Sequence, residues 1–244
     1  PRLAVRQSAR YIPHVVLGST AHDCLGKALR DAQSDEFRLR LQGDLDNFPF
    51  DQGDGVFQIQ ARASGVAVEY AKDWPRVENA YAELFINGRR LEVTSPAAVT
   101  AGGRVQKISV ILPDMIGAEK ILQIRGEAAE ETQRCLDFIR VSPVRTYIGG
   151  ITDGITVQGR GLLALQLDIP LYSDKQAEVS GSYRFFENDI SFAGKSPPLT
   201  KTRGDLLFSR AALHTRNLTA QILGGPASLQ IRKDSGKALQ AKLS

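Results

Sequence analysis

The amino-acid sequence predicts a mainly β fold, an antiparallel sheet built from two diverged copies of one helix-plus-sheet unit. Three observations support this prediction: most of the chain alternates apolar and polar residues, turn signals separate the alternating segments, and the chain resembles itself at a shift of 122 residues. Alternation with period two gives a strand one apolar and one wetted face. Short strands joined by tight turns favour a meander, because parallel βαβ units need a helix between most strands.

The alternation is clearest in three segments, at residues 57–63, 163–169 and 227–231. In the first, Phe57 and Ile59 alternate with Gln58 and Gln60. Glycine-containing pairs that favour turns lie between such segments. These pairs are Asp54-Gly55, Asn87-Gly88, Gly102-Gly103, Gly149-Gly150 and Gly224-Gly225.

Two segments have the apolar spacing of short helices. The first runs from Ser19 to Ala32, with Cys24 and Leu25 on its apolar side. The second runs from Ala128 to Val141. It should end at Ser142-Pro143, because proline disfavours helical geometry in the residue before it.

The internal repeat is the most informative feature. A shift of 122 residues brings Val68 onto Ile190 and Pro75 onto Pro197, and it lays residues 83–86 on residues 205–208. The helices are related by a shift of 111, so a short insertion separates helix from sheet in one copy. We therefore predict two repeats, residues 1–127 and 128–244, that share one continuous sheet.

Composition limits the class of protein. The 244 residues are 42% hydrophobic and 24% charged, which is typical of a folded domain. Apolar runs are shorter than the ~20 residues that a membrane-spanning helix needs. The chain begins at Pro1 without a signal-peptide pattern, so we interpret it as an internal piece of a longer protein whose anchor or export signal lies outside it.

Charge is unevenly distributed along the chain. The overall charge is +4, but residues 200–244 carry eight basic and two acidic side chains, which is +6 against −2 for the rest. A basic end could meet anionic head groups or nucleic acid, but a solvated surface with a frayed tail is the favoured interpretation. The two cysteines, Cys24 and Cys135, are expected to be buried small apolar side chains.

The sequence offers no catalytic constellation, and we predict neither an enzyme nor a cofactor or metal site. The three histidines are scattered, and no nucleophile elbow or paired-cysteine motif occurs. The cluster Asp44, Asp46, Asp51 and Asp54 lacks the spacing of a calcium loop and is interpreted as a turn. The glycines between residues 149 and 154 lack the lysine of a phosphate loop and also predict turns.

Nucleic acid is not an expected partner. Tyr183, Arg184, Phe185 and Phe186 have the mixture of aromatic and basic residues found in base-stacking platforms. Tyr183 and Phe185, however, share one strand face with period two, so core packing accounts for them.

Several strings resemble the YhdP-type branch of the AsmA-like bacterial envelope proteins. The more specific are Gly-Asp-Leu-x-x-Phe-Pro-Phe at residues 43–50 and Tyr-Ala-x-x-Trp-Pro at residues 70–75. The resemblance covers about residues 20 to 232. Further matching strings lie at Leu25 and at residues 41–42, 55–57, 68–69, 83–91, 159–161 and 165–171.

This resemblance implies an elongated, curved sheet with an apolar trough, a β-groove, in a long periplasmic protein anchored in the inner membrane of a Gram-negative bacterium. Its partner would be phospholipid, whose acyl chains would pass between inner and outer membranes without chemistry. Parts of the parent protein outside this chain would contact the membrane. Edge-to-edge self-association of the isolated chain is a further expectation.

Burying apolar surface contributes about 25 cal/mol per Å², so an acyl chain needs a continuous apolar lining rather than one pocket. For each apolar strand residue, packing as an ordinary core is the alternative, since alternation identifies a face but not what covers it. An envelope scaffold without lipid is the alternative function, and it would fill the apolar face with side chains or helices. The candidate lining residues are Phe57, Ile59, Val68, Tyr70, Leu84, Ile86, Leu163, Leu165, Leu167, Phe192, Leu206 and Phe208.

Overall fold

Among the residues that the structure describes, twelve strands and two short α-helices make up the fold. The computed structural model describes residues 33–69, 73–148, 150, 152–171, 175–194, 196–234 and 240–244. The first six strands are β1 Gln33–Gln42, β2 Val56–Val68, β3 Val77–Asn87, β4 Arg90–Thr100, β5 Gly103–Leu112 and β6 Lys120–Glu131. The remaining six are β7 Ile155–Leu171, β8 Glu178–Phe192, β9 Leu199–Ser209, β10 Leu213–Ile222, β11 Gly225–Lys233 and β12 Gln240–Leu243.

The strands follow one another in sequence order within one sheet, from β1 to β12. Pairing is antiparallel from β1 through β4 and from β8 through β12. The prediction of a mainly β, antiparallel meander is therefore confirmed. Within the described residues, no helix is both long enough and apolar enough to cross a membrane.

The helices are α1, Thr132–Arg140, and α2, Val144–Tyr147, and a 3₁₀ turn spans Leu45–Asn47. The second predicted helix is thus present, but it begins at Thr132 because residues 128–131 continue β6. It ends before Ser142-Pro143, as predicted. The first predicted helix, residues 19–32, lies outside the described residues.

Three hairpin turns fall at predicted glycines. Gly88 lies between β3 and β4, Gly102 between β4 and β5, and Gly224 between β10 and β11, each with positive φ. Glycine tolerates this backbone region without the steric cost that a side chain would bring. Gly150 and Gly154 also have positive φ, which agrees with the turn predicted there.

The internal repeat is present in the strand boundaries. β2 begins at Val56 and β8 at Glu178, which is 122 positions later, and β3 and β9 are related by the same shift at both ends. Pairing registers repeat as well: Val68 lies opposite Val77, and Ile190 lies opposite Leu199. The two copies therefore share strand starts and pairing in these strands, although β8 is two residues longer than β2 and most of the side chains differ.

Finer details recur at the same shift. Asn79 and Lys201 both have positive φ, at matching irregularities of β3 and β9. An ion pair joins Arg62 to Glu83 at 3.2 Å, and its counterpart joins Arg184 to Asp205 at 2.7 Å. These matches indicate that the same backbone conformation occurs in both copies. The boundary between the repeats at residues 127 and 128 stays a prediction.

The chain forms two compact units. Unit 1 consists of the described residues within Pro1–Thr100, Gln106–Arg125 and Asp168–Ala177. Unit 2 consists of those within Ala101–Val105, Gly126–Leu167 and Glu178–Ser244. Strands β5, β6 and β7 contribute residues to both units, so the units do not coincide with whole strands.

Candidate functional site

Each unit has one apolar and one charged sheet face. Directly opposite residues of paired strands share a face, and in unit 1 Leu39, Ile59, Ile86 and Leu91 form one such row across β1 to β4. The neighbouring positions Arg62 and Glu83 point to the other face, where they form an ion pair. We call these the apolar face and the polar face.

One end of the apolar face of unit 1 is closed by side chains from two loops. Phe48 and Phe50 come from the loop after β1, and Met115 comes from the loop after β5. Phe48 packs edge-on against Phe57, with ring centroids 5.1 Å apart. Beneath them, Ile59 and Ile86 are 1% and 0% exposed. This half of the apolar face is a filled core.

The Gly-Asp-Leu-x-x-Phe-Pro-Phe string at residues 43–50 builds this closure. A Cβ atom on Gly43 would lie 2.6 Å from the Phe50 ring, and one on Gly55 would lie 2.3 Å from it, so the ring needs both glycines. Asp44 caps the 3₁₀ turn by accepting a hydrogen bond from the Asp46 amide at 3.1 Å. The expectation that these aspartates form a turn is supported, and among the described residues no group of acidic, histidine or cysteine side chains could hold a metal ion.

Arg89 ties the two closing loops together. Its Nε donates to Asp51 at 2.7 Å, and its Nη1 donates to Asp114 at 3.0 Å. Burial raises the pKa of Asp114, but the amide groups of Gly117 and Ile116 and the Arg89 guanidinium together hold that pKa below its ordinary value. The hydrogen bonds to the two carboxylates raise the pKa of Arg89. The charged groups therefore hold the apolar closure in place.

The other end of the apolar face of unit 1 is lined by small residues. Ala63, Val66, Ala80 and Ala98 form a buried cluster, against which Val68 packs half-buried. Small side chains leave a shallower apolar layer than the isoleucines and phenylalanines at the closed end.

In unit 2, helix α1 covers part of the apolar face. Leu136 of α1 joins a buried cluster with Val157, Ile190, Leu199 and Ala220, which come from β7, β8, β9 and β10. The apolar spacing that predicted the helix is therefore the surface that packs on the sheet.

A buried polar contact fixes the first turn of α1. The Thr132 hydroxyl oxygen accepts from the Tyr183 hydroxyl and from Asn188 Nδ2, each at 2.6 Å. Burial raises the pKa of Tyr183, so the phenol stays protonated and donates. Asn188 and Thr202, which lie opposite each other, stand where Val66 and Ala80 stand in unit 1. The second copy thus replaces an apolar pair with a polar one beneath its helix.

Beyond the helix, the apolar face of unit 2 keeps accessible side-chain surface. Leu206 lies opposite Tyr183, and Phe208 lies opposite both Gly181 and Leu213. Their counterparts in unit 1, Leu84, Ile86 and Leu91, belong to or pack against the closed core. We call the following half-buried residues the accessible apolar surface: Leu163, Leu165, Gly181, Leu206, Phe208 and Leu213.

Two glycines allow aromatic rings to lie flat on this part of the sheet. A Cβ atom on Gly161 would lie 2.2 Å from the Tyr183 hydroxyl oxygen, and one on Gly181 would lie 2.7 Å from the Phe208 ring. Because Gly161 faces the Tyr183 ring, the alternation of β7 places Leu163, Leu165 and Leu167 on the same face. This is the face predicted from the sequence.

The candidate lining residues separate into groups by burial. Phe57, Ile59, Ile86 and Leu167 are buried. Phe192 is 37% exposed, at the end of β8. Tyr70 lies outside the described residues. The half-buried candidates are Val68, Leu84, Leu163, Leu165, Leu206 and Phe208.

Other sequence predictions also find their place. Cys135 is buried, and burial together with the charge of Glu130 raises its pKa to about 11, so it behaves as an apolar side chain. Tyr183 is buried with its ring centroid 4.8 Å from that of Phe185, which agrees with core packing. Phe186 points to the polar face opposite Arg203.

Sequence reasoning missed several residues of this surface. Leu213 could have been found from the repeat, because it stands 122 positions after Leu91. Thr132, Asn188 and the two glycines carried no signal, since a buried polar contact and a close ring approach depend on which strands become neighbours.

Fold and surface together define a class: a mainly β protein in which one sheet unit occurs twice, each time with an apolar and a charged face. The chain belongs to the YhdP family, because the family model described as YhdP protein matches residues 2–244. A curated relative is the "Intermembrane phospholipid transporter YhdP" of Escherichia coli (strain K12), 22% identical over 239 residues. The match covers 98% of this chain and 19% of the relative, so the chain spans about a fifth of that protein. No solved structure matches the chain.

Proposed function

We propose that this chain is a periplasmic segment of a phospholipid transporter, and that it shields acyl chains on the apolar face of its sheet without catalysis. The finer part of the proposal is that this face continues through the parent protein as a groove between inner and outer membranes, with the parent anchored in the inner membrane. Family membership and the name of the E. coli relative support the lipid as ligand.

The observation that carries the proposal is the contrast between the two copies. At matching positions, Ile86 and Leu91 are buried in the core closed by Phe50 and Met115 in unit 1, whereas Phe208 and Leu213 are half-buried in unit 2. Half-buried leucine and phenylalanine on one face can lose further contact with water when an acyl chain lies across them. The affinity of such a face depends on the apolar area that is buried, so it can bind lipids whose acyl chains differ in structure.

A scaffold without lipid is the second candidate function, and specific observations favour it. The core around Ile59 and Ile86 is filled by loop side chains, and α1 covers the face around Leu199. Filling of this kind is what a scaffold requires. The two candidates therefore differ in whether the accessible apolar surface of unit 2 binds lipid.

Native mass spectrometry of the whole chain, purified from bacteria and incubated with phosphatidylglycerol vesicles, tests the proposal. We expect phospholipid adducts that are lost in Leu206→Gln, which places an amide on the apolar face. Leu207→Gln is the matched control, because Leu207 is also half-buried but lies opposite Ser182 and His214 on the polar face.

A wild-type chain that stays free of adducts after incubation would favour the scaffold. Adducts lost equally in both variants would assign the effect to weakened folding, which circular dichroism would reveal. Only loss confined to Leu206→Gln assigns lipid binding to the apolar face.

A further inference from the structure

A cation, the side chain of Lys233, lies on the apolar face of unit 2. Lys233, the last residue of β11, lies directly opposite Leu213 of β10. Leu213 lies opposite Phe208 of β9, and Phe208 lies opposite Gly181 of β8. Opposite residues share a face, so this row runs over apolar positions and ends at an ammonium group. The cation and the accessible apolar surface are therefore neighbours.

Lys233 has no counter-ion among the residues that the structure describes. It is half-buried, and none of the hydrogen bonds or ion pairs of the described chain involves its ammonium group. The adjacent carboxylate of Asp234 is engaged by Arg232, whose Nε lies 3.3 Å away. The charge on the apolar face thus has no partner among the described residues.

At the corresponding strand end, the first copy places an apolar residue on this face. Leu112 is the last residue of β5, the strand that matches β11, and it belongs to the core closed by Phe50 and Met115. Among the described residues, the cation at this strand end therefore belongs to the copy whose apolar surface is accessible there.

We propose that Lys233 binds the phosphate of a phospholipid whose acyl chains lie on the accessible apolar surface of unit 2. The inference rests on the proposed function and adds the headgroup contact to it. An ammonium group at the edge of an apolar surface matches a phospholipid, which presents a phosphate anion where its apolar chains begin. The aliphatic stem of the lysine extends the apolar row, and its three N–H donors meet the phosphate oxygens.

The test compares two ligands with identical acyl chains, dioctanoyl phosphatidylglycerol and dioctanoylglycerol, titrated against the whole chain. We expect Lys233→Gln to weaken phosphatidylglycerol binding about tenfold, the loss of one charge-assisted hydrogen bond, while dioctanoylglycerol binding stays unchanged. Lys233→Arg should restore phosphatidylglycerol binding. Lys242→Gln is the matched control, because Lys242 is exposed and pairs with Gln230 on the polar face.

The outcomes separate the two proposals. If both lipids bind and Lys233→Gln changes neither affinity, the headgroup contact is wrong and the lipid-binding surface stands. If neither lipid binds the wild type, the proposed function itself is wrong. A third experiment titrates inorganic phosphate. Saturable phosphate binding that requires Lys233, in a chain that binds neither lipid, would show that the site binds a free anion and not a phospholipid.

Discussion

Leu91 and Leu213 are the same residue type at matching positions of the two copies, yet their surroundings differ. Leu91 is buried in the core closed by Phe50 and Met115, whereas Leu213 is half-buried beside Phe208 and Lys233. The energetic role of a leucine on this sheet is therefore set by what packs above it.

We expect Leu91→Ala to lower the free energy of unfolding by about 2–5 kcal/mol, the usual range for a leucine truncated in a closed core. Leu213→Ala should cost roughly 1–2 kcal/mol, because less of its surface leaves water on folding. Urea unfolding of both variants checks this difference. Equal losses would mean that the two positions are equally covered, which would contradict the accessible surface.

Asp114 makes the closed core of unit 1 sensitive to acid. Its pKa lies below the ordinary value of 3.8 in the folded chain, so its contribution to stability is present above that value and is lost as pH falls through the folded pKa. Arg89 and Asp114 are both more than a third exposed, so the effect should be modest.

The measurement compares wild type and Asp114→Asn by urea unfolding between pH 7 and pH 2.5. The variant should be less stable at pH 7, and the difference should shrink as pH falls below 3.8. Asp54→Asn, at an exposed turn position, is the control. A difference that persists at the lowest pH would show that the substitution acts through packing and not through charge.

At the scale of elements, an apolar contact surface and several hydrogen bonds hold α1 to the sheet, among them a buried polar contact at its first turn. Leu136 packs on Val157, Ile190 and Leu199, while Thr132 accepts from Tyr183. The apolar surface brings the helix to the sheet. The polar contact selects one position for its first turn, because buried donors are costly when unpaired.

Tyr183→Phe should therefore loosen the first turn of α1 and leave the ring on Gly161 in place. We expect a loss of about 1–2 kcal/mol of stability and faster amide exchange in the first turn of α1, measured by hydrogen exchange. Tyr81→Phe, on the exposed polar face of β3, is the control. Unchanged exchange in α1 would show that the Tyr183 hydroxyl does not hold the first turn of the helix.

At the scale of the whole molecule, β1 is the first strand of the sheet among the described residues, and it presents apolar side chains. Leu39 and Leu41 of β1 are 45% and 46% exposed on the apolar face, opposite Ile59 and Phe57. Strands with exposed apolar residues at the start of a sheet favour pairing with another chain. Self-association of the isolated chain is thus a prediction at this scale.

Sedimentation of the whole chain over a range of concentrations measures that association. We expect the Leu39→Lys and Leu41→Lys double variant to shift the chain towards monomer, because charge on an edge strand opposes pairing. Arg40→Gln, on the other face of the same strand, is the control. A wild type that is monomeric at every concentration would refute the prediction.

The sequence by itself determined the fold class, the strand segments, the second helix and the repeat. These features are local or periodic: alternation marks the apolar side of Leu163 and Leu206, glycines mark the turns, and a shift of 122 aligns the strands. It also determined the family through strings such as Gly-Asp-Leu-x-x-Phe-Pro-Phe. Each of these signals can be recognised within a few neighbouring residues, or by comparing two segments of the chain.

Only the tertiary structure decided which parts of the apolar face are filled. Phe50 lies 36 positions before Ile86 and Met115 lies 56 positions after Ile59, and nothing local says that they close over these residues. The same holds for Lys233, whose place beside the accessible apolar surface follows from strand register. Alternation assigns a side chain to a face, but burial depends on loops and helices that reach that face from elsewhere in the chain.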